Sequence, residues 1–134
     1  METSVQRSKL MAKVKAKDTS PEMVVRRAAH ALGFRYRLHQ KSLAGSPDLV
    51  FPGKRKVIFV HGCFWHRHTD CRYSTVPKSN VHFWQAKFDR NVERDQSAIQ
   101  RLCSDGWEVL VIWQCETRDP VWLRDQLIRF LGAR

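Results

Sequence analysis

The sequence predicts an α/β domain in which helices flank a mixed central sheet on both faces. Two observations lead to this prediction: short apolar runs of strand character alternate with helical segments, and one long helical segment joins two of those runs. A helix between two strands is the usual crossover of a parallel pair, so these two strands should run in the same direction. The chain has 134 residues without an internal repeat or low-complexity linker, and we expect a single domain over 1–134.

The chain starts with a basic segment, and we expect residues 1–17 to form a short helix or arm. Five of its side chains are predicted to contact phosphates: Arg7, Lys9, Lys13, Lys15 and Lys17. A solvated tail is the alternative. The segment lacks the apolar core and cleavage site of a secretory signal, so we expect a cytoplasmic protein in which cysteines bind a metal rather than form disulfides.

The next part of the chain predicts one helix and three short strands. The helix has both ends marked, with Thr19 or Ser20 as its cap, Pro21 in its first turn and Gly33 as its stop. The strands are FRYRLH, DLVF and KVIFV. The first alternates apolar and polar residues as a half-buried strand does, and AGSP breaks the chain behind it.

The C-terminal half predicts a helix, a strand and a helix. A long helix from Ser79 to Cys103 carries an apolar face and a basic surface, and Gly106 should end it. The segment WEVLVIW then predicts a fully buried strand. A last helix is capped by Asp119 and stops at Gly132. The long helix is therefore the predicted crossover between KVIFV and WEVLVIW.

The charge of the chain favours a polyanionic partner. Lys and Arg number 24 against 13 Asp and Glu, which gives a net charge of +11. Nucleic acid is the first candidate for a partner of this kind. No uninterrupted apolar stretch approaches the roughly 18 residues that a membrane-spanning helix needs, so we expect no membrane partner.

The segment HGCFWHRHTDC, residues 61–71, predicts a metal site. The parallel crossover places the ends of its two strands at one edge of the sheet, so Cys63 after one strand should meet Cys115 after the other. His68 and Cys71 complete a set of three sulfurs and one imidazole, which suits tetrahedral zinc. Four protein ligands leave no open position, and the zinc would be structural.

Two alternatives to this set stay open. His61 or His66 could replace His68 as the imidazole ligand, or the cysteines are incidental and the histidines exposed. Cys103 is left out of the set, because a cysteine on an apolar helix position is more often a small core residue than a ligand.

An oxygen site is predicted beside this loop. Asp48 begins a strand and the next strand ends at Val60, so the Asp48 carboxylate and the Val60 backbone carbonyl could lie close together. Oxygen ligands of this kind suit Mg²⁺. The alternative is that Asp48 is an ordinary turn residue, which is a common role for aspartate before a strand.

Four blocks of the sequence resemble the very short patch repair (Vsr) endonucleases in order and approximate spacing: SPDLVF, VIFVHGCFWHRH, FWQAKFDRNVERD and GWEVLVIWQC. The resemblance extends from about Arg7 to Cys115. It implies a variant of the PD-(D/E)xK nuclease fold that nicks DNA beside a T:G mismatch left by deamination of 5-methylcytosine. It also implies a bacterial cytoplasmic protein associated with the nucleoid, with other mismatch-repair proteins as further partners.

The resemblance assigns roles to individual residues. The catalytic aspartate falls on Asp48, the catalytic histidine on His66, the acidic residue of the early helix on Glu22 and a further active-site histidine on His61. The position whose backbone carbonyl helps to bind Mg²⁺ falls on Val60, where a threonine is expected. His66 would then deprotonate the attacking water. Glu22 either orients His66 or a metal-bound water, or completes a capping box on its helix.

Three aromatic residues are implied as wedges that enter the base stack beside the mismatch: Phe64, Trp65 and Trp84. Core packing is the alternative, above all for Trp84, which lies on the long helix at core spacing with Phe88. Two other functions are compatible with the sequence. One is a zinc-stabilised DNA-binding module without catalysis, and the other is a restriction-type nuclease of related fold.

Overall fold

The fold was determined from a computed structural model, and the structure describes residues 19–72 and 74–132. The predicted N-terminal arm, with Arg7, Lys9 and Lys13, lies outside the described residues. The helices of the described part are α1 (Ser20–Ala31), α2 (Val81–Ser104) and α3 (Pro120–Leu131). Its strands are β1 (Arg37–Leu38), β2 (Leu49–Phe51), β3 (Lys56–His61) and β4 (Glu108–Trp113). Short 3₁₀ helices follow β2 and β4 at Pro52–Lys54 and Gln114–Arg118.

The helices end where the local chemistry of the sequence predicts. The Thr19 hydroxyl caps α1 by accepting the backbone N–H of Glu22 at 3.3 Å. The helix stops before Gly33, whose φ of 89° is in the left-handed region that favours glycine. The Asp119 carboxylate caps α3 by accepting the backbone N–H of Trp122 at 3.1 Å. These caps satisfy donors that the first turn of a helix leaves unpaired.

Two strand predictions need correction. The strand predicted over FRYRLH is reduced to Arg37 and Leu38, and both side chains are exposed. Phe34 instead leaves the strand direction and is buried in the core. The strand β4 was predicted to be fully buried, but only Ile112 in it is buried and Glu108 is exposed. Both strands lie at the edges of the described sheet, where one side of each strand has no neighbouring strand to cover it.

The sheet is mixed, as predicted, with the strand order β1-β2-β3-β4. The pairs β1–β2 and β2–β3 are antiparallel, and β3–β4 is parallel with α2 as the crossover. The register pairs Val60 with Ile112 and His61 with Trp113. The chain therefore leaves β3 and β4 at the same edge of the sheet, and the residues after His61 and Trp113 meet there.

Helices cover both faces of the sheet. On one face, α1 and α3 pack on residues that include Leu49, Ile58 and Ile112. On the opposite face, α2 packs through Leu102 on residues that include Val57. Alternate residues of each strand thus enter different cores, as the two-residue period of a strand requires. Within the described parts of the chain, no helix is both long and apolar enough to cross a membrane.

Candidate active site and metal centre

The predicted set of three cysteines and one histidine comes together at the edge where β3 and β4 end. The donor atoms of Cys63, His68, Cys71 and Cys115 all lie within 4.8 Å of one another. His68 Nδ1 is 3.7 Å from the Cys63 sulfur and 3.4 Å from the Cys115 sulfur. Ligands of a tetrahedral zinc ion are separated by roughly 3.5–3.8 Å, given its usual bond lengths. The residues present therefore fit a metal of this kind.

The elements around this cluster hold it in place. Cys63 is fully buried directly after β3, and the backbone N–H of Cys115 points at its sulfur at 3.4 Å. The His68 ring stacks on Trp113, the last residue of β4, with 4.3 Å between ring centroids and 6° between planes. This stacking turns Nδ1 of His68 toward the sulfurs. The structure thus brings His68, rather than His61 or His66, to the cysteines.

Burial of the sulfurs explains why the cluster favours a cation. Burial raises the pKa of the Cys63 thiol to about 12, and burial also raises the pKa of the Cys115 thiol. Desolvated thiols of this kind resist ionisation on their own. A divalent cation at the centre would compensate the charge of the thiolates, so metal binding and deprotonation are coupled.

A second group of polar side chains lies beneath the end of β3. The backbone N–H of Val60 donates to Asp48 Oδ2 at 2.7 Å, so the predicted proximity of these two residues is observed through the amide N–H. The second carboxylate of the group belongs to Glu22, which is 1% exposed. Its Oε2 pairs with the Arg26 guanidinium and lies 2.9 Å from His39 Nε2. The Glu22 carboxylate therefore binds Arg26 and His39 and takes no part in capping α1. The Thr19 hydroxyl makes that cap.

The Asp48 carboxyl is desolvated. Burial raises its pKa from 3.8 to about 7, and the neighbouring Glu22 carboxylate raises it too. The hydrogen bond from Val60 and the charge of His39 act in the opposite direction and only partly offset burial. Two carboxylates that share a desolvated site favour a cation between them, and such perturbed groups are typical of functional sites.

A pair of imidazoles lies opposite the Asp48 carboxylate. His66 Nδ1 is 2.5 Å from Asp95 Oδ2, a residue of α2. His61 stacks on His66 with 4.0 Å between ring centroids and 6° between planes. Burial lowers the pKa of His61 to about 4, and the charge of His66 lowers it as well, against Asp95, which raises it. His61 is therefore neutral at physiological pH. The bond to Asp95 leaves Nε2 as the nitrogen of His66 for proton transfer.

The carboxylates of Asp48 and Asp95 and the imidazoles line one cavity of about 480 Å³. Its polar lining includes His39, Asp48, His61, His66 and Asp95. Sequence reasoning missed His39 and Asp95 as site residues. Asp95 lies inside the block FWQAKFDRNVERD, although no local signal there separates it from the other charged residues. His39 ends the first predicted strand, opposite the start of the strand that carries Asp48.

The predicted wedge residues form an aromatic cluster next to this cavity. Phe64 and Trp65 are half-buried, with 5.3 Å between their ring centroids. Trp84 is only 3% exposed and stacks on Phe88, so its packing is that of a core residue and it would contact DNA only by leaving this position. The Lys87 ammonium lies 4.9 Å from the centre of the Trp65 ring. Phe64 and Trp65 therefore pack against the rings of Trp84 and Phe88, with a cation beside them.

Known proteins resemble this chain over most of its length. Residues 1–73 match the family model described as DNA mismatch endonuclease Vsr. The type II nicking enzyme V.XorIIP of Xanthomonas oryzae is 50% identical over 110 residues, which cover 82% of this chain and 80% of that protein. The type II nicking enzyme V.NmeAIP of Neisseria meningitidis is 40% identical over 129 residues, which cover 96% of this chain and 91% of that protein. The DNA mismatch endonuclease Vsr of Escherichia coli is 40% identical over 122 residues, which cover 91% of this chain and 78% of that protein.

Proposed function

The chain belongs to the Vsr family of DNA mismatch endonucleases, and on this premise we propose that it nicks one strand of duplex DNA beside a T:G mismatch with Mg²⁺ as its catalytic cofactor. Membership in the family makes it an enzyme that hydrolyses DNA. The observation that carries the finer proposal is the shared cavity, which is lined by the Asp48 carboxylate on one side and by His66 with its Asp95 partner on the other. An acidic metal site and a general base are thus available to one phosphate.

Asp48 and the Val60 backbone carbonyl would hold the metal. A magnesium ion, when bound, supplies positive charge that stabilises the phosphate and the leaving oxygen. The Val60 N–H fixes one oxygen of Asp48 at 2.7 Å and leaves the other oxygen for the site. Glu22 lies beside both Asp48 and His39, close enough to orient a water molecule of the site.

His66 is the proposed general base. Asp95 holds the Nδ1 proton of its ring, so that Nε2 accepts the proton of the attacking water, as in other histidine–carboxylate pairs. The water oxygen forms a bond to phosphorus, the bond to the leaving oxygen breaks, and that oxygen takes up a proton from solvent water. His61 acts as a positioning residue, because its neutral ring stacks on His66 and restricts its orientation.

A structural zinc is the proposed occupant of the cluster formed by Cys63, His68, Cys71 and Cys115. Binding of such an ion contributes on the order of 10 kcal/mol to folding. His66 lies between two of these ligands in the chain, so the zinc would fix the loop that carries the general base. Rigid support of this kind is what a catalytic group needs in order to hold its geometry.

DNA recognition is proposed to use charge for affinity and aromatic rings for mismatch discrimination. The net charge of +11, including Arg7, Lys9 and Lys13 of the N-terminal arm, would bind phosphates in a salt-dependent manner. Phe64 and Trp65 would enter the base stack, where a mispair lowers the cost of unstacking. We assign all of these functions to one cytoplasmic domain that works on the bacterial chromosome.

Strand cleavage of matched duplexes tests this proposal. Two DNA duplexes that differ only in a T:G or a T:A pair should be incubated with the protein in Mg²⁺, and nicking of each strand measured. We expect the T:G duplex to be nicked and the T:A duplex to be nearly inert. The Asp48→Ala and His66→Ala variants should each abolish nicking yet still bind DNA, because the basic surface supplies most of the affinity.

Each alternative function predicts a different pattern. A DNA-binding module without catalysis would bind both duplexes and nick neither. A restriction-type nuclease would cleave both duplexes at one sequence, whether or not they contain the mismatch. Nicking by Asp48→Ala at the wild-type rate would rule out the proposed metal site.

A further inference from the structure

His39 is a side chain at the metal site that the proposed mechanism does not use. Its Nε2 lies 2.9 Å from Glu22 Oε2 and 3.8 Å from Asp48 Oδ1, so it faces both carboxylates, which also lie next to each other. The side chain is 20% exposed and lines the cavity that contains Asp48 and His66. A histidine in this position can provide a nitrogen donor where the sequence predicted oxygen donors alone.

The backbone of His39 is held in an uncommon conformation. Its φ of 44° is in the left-handed region, which costs free energy for a residue other than glycine. A hydrogen bond from its N–H to the Asp48 carbonyl oxygen at 3.3 Å ties this residue to the start of β2. The conformation therefore keeps the His39 ring next to Asp48, and strain of this kind is concentrated at functional sites.

The three donors have the spacing of metal ligands. Ligand atoms of Glu22, His39 and Asp48 all lie within 4.8 Å of one another. Adjacent ligands of an octahedral ion are separated by roughly 3.0 Å, given bonds of about 2.1 Å. One of the two observed separations already has this length, and the other needs a shift of less than about 1 Å to reach it. The Val60 N–H occupies the other oxygen of Asp48, which leaves Oδ1 directed at His39.

We propose that His39 Nε2 is a nitrogen ligand of the catalytic metal site, together with Asp48 and Glu22, and that it makes the site prefer Mn²⁺ to Mg²⁺. This inference rests on the proposed function, because it concerns the metal of the same site. Mg²⁺ strongly prefers oxygen ligands and keeps much of its water. Mn²⁺ accepts imidazole nitrogen beside carboxylate oxygen more readily, so one nitrogen donor changes the relative affinity of the two ions.

Arg26 acts on both ions in the same way. Its guanidinium pairs with Glu22 Oε2 and lies 3.5 Å from His39 Nε2, so it competes with any cation for this carboxylate. The competition lowers the affinity for Mn²⁺ and for Mg²⁺ alike and does not distinguish between them. The preference for one ion therefore depends on the donor atom of His39 and not on the charge around it.

Direct metal binding tests the proposal without a nuclease assay. The Kd of Mn²⁺ can be measured on the zinc-loaded full-length protein from the electron paramagnetic resonance signal of free Mn²⁺, and the Kd of Mg²⁺ from competition. Pulsed resonance on bound Mn²⁺ detects coupling to a ligand ¹⁴N nucleus. The variant is His39→Gln, and His30→Gln is the matched control because His30 is exposed on α1, away from the cavity.

We expect the ¹⁴N coupling in the wild-type protein and in His30→Gln, and its loss in His39→Gln. His39→Gln should also raise the Kd of Mn²⁺ by at least about tenfold and that of Mg²⁺ by much less. Absence of ¹⁴N coupling in the wild-type protein overturns the proposal, and this result does not depend on any variant. Coupling that persists in His39→Gln, or an unchanged ratio of the two Kd values, also overturns it.

The same experiment separates failure of this inference from failure of the proposed function. If Asp48→Asn abolishes binding of both ions while the wild-type spectrum lacks ¹⁴N coupling, the metal site stands and the role of His39 is wrong. If the wild-type protein binds neither ion, or if Asp48→Asn binds both normally, the metal site itself is wrong. Should His39→Gln fail to fold, as judged by circular dichroism, His39→Asn replaces it in the same measurements.

Discussion

Replacing Asp48 by asparagine should stabilise the protein above neutral pH in the absence of Mg²⁺. The carboxyl group is 16% exposed, and burial raises its pKa from 3.8 to about 7. Between these two values the folded protein binds a proton that the unfolded chain has released. Stability therefore falls as the pH rises through this window, and at pH 8 the folded state carries the full cost of a desolvated carboxylate. Asparagine has no charge to desolvate, yet its carbonyl can still accept the N–H of Val60.

The size of the effect follows from the two pKa values. One pH unit of pKa difference corresponds to about 1.4 kcal/mol, so the stability of Asp48→Asn relative to the wild type should increase by about 3 kcal/mol between pH 4.5 and pH 8. At pH 4.5 the Asp48 carboxyl is protonated, so the Val60 N–H donates to a neutral acceptor in both proteins. The quantity to measure is therefore the difference in unfolding free energy between Asp48→Asn and the wild type, compared at pH 4.5 and pH 8.

Urea unfolding followed by tryptophan fluorescence gives the required free energies. The buffer should be free of Mg²⁺ and of chelators that would remove a structural zinc. Asp125→Asn is the control, because Asp125 is 51% exposed on α3 and its replacement should have an effect that hardly changes with pH. Adding Mg²⁺ at about 100 times its Kd should stabilise the wild type by about 2.7 kcal/mol and leave Asp48→Asn unaffected. A difference between Asp48→Asn and the wild type that is the same at both pH values would refute the reasoning.

Three further predictions concern the metal cluster, the general base and the wedge. Cys115→Ser should lose about one zinc per chain and several kcal/mol of stability, whereas Cys103→Ser should keep its zinc and its stability. Elemental analysis measures the zinc and urea unfolding measures the stability. Equal losses in the two variants would contradict this prediction. Asp95→Asn should lower the nicking rate about 10- to 150-fold through loss of a charge-assisted hydrogen bond, with unchanged DNA affinity in a filter-binding assay. Replacing Phe64 and Trp65 together by alanine should lower the ratio of nicking rates on T:G and T:A duplexes at fixed salt, and an unchanged ratio would place mismatch recognition elsewhere.

The sequence predicts those parts of the fold that depend on local chemistry. Thr19 and Asp119 cap their helices because a short polar side chain can accept the unpaired N–H groups of the first turn. The parallel crossover follows from a helix between two apolar strands, and it alone is enough to bring Cys63 and Cys115 together. The burial of β4 is not predictable in the same way, because an apolar strand can have the same sequence pattern at the edge and in the middle of a sheet.

A site residue was predictable where only one residue type in the segment can supply the ligand. It was not predictable where several residues of the same type lie close together in the sequence. Three sulfurs define the metal cluster, but the loop offers three histidines, and only the folded loop decides between them: His68 stacks on Trp113 near the sulfurs, while His66 pairs with Asp95. Asp95 reaches His66 because α2 presents one particular side toward the loop, which is set by packing between distant parts of the chain. The contact of His39 with the carboxylates depends on a left-handed backbone conformation that its residue type does not reveal.

The pairing of β3 with β4 has a consequence for the synthesis of the chain. Three donors of the metal cluster lie at positions 63–71, but the fourth is Cys115, and the strand that pairs with β3 begins only at Glu108. A nascent or prematurely terminated chain that ends before Glu108 contains the three histidines of the cavity but lacks both the strand that pairs with β3 and the ligand Cys115. The edge of the sheet that carries the cavity and the metal cluster can therefore be completed only after residue 115 has been added to the growing chain.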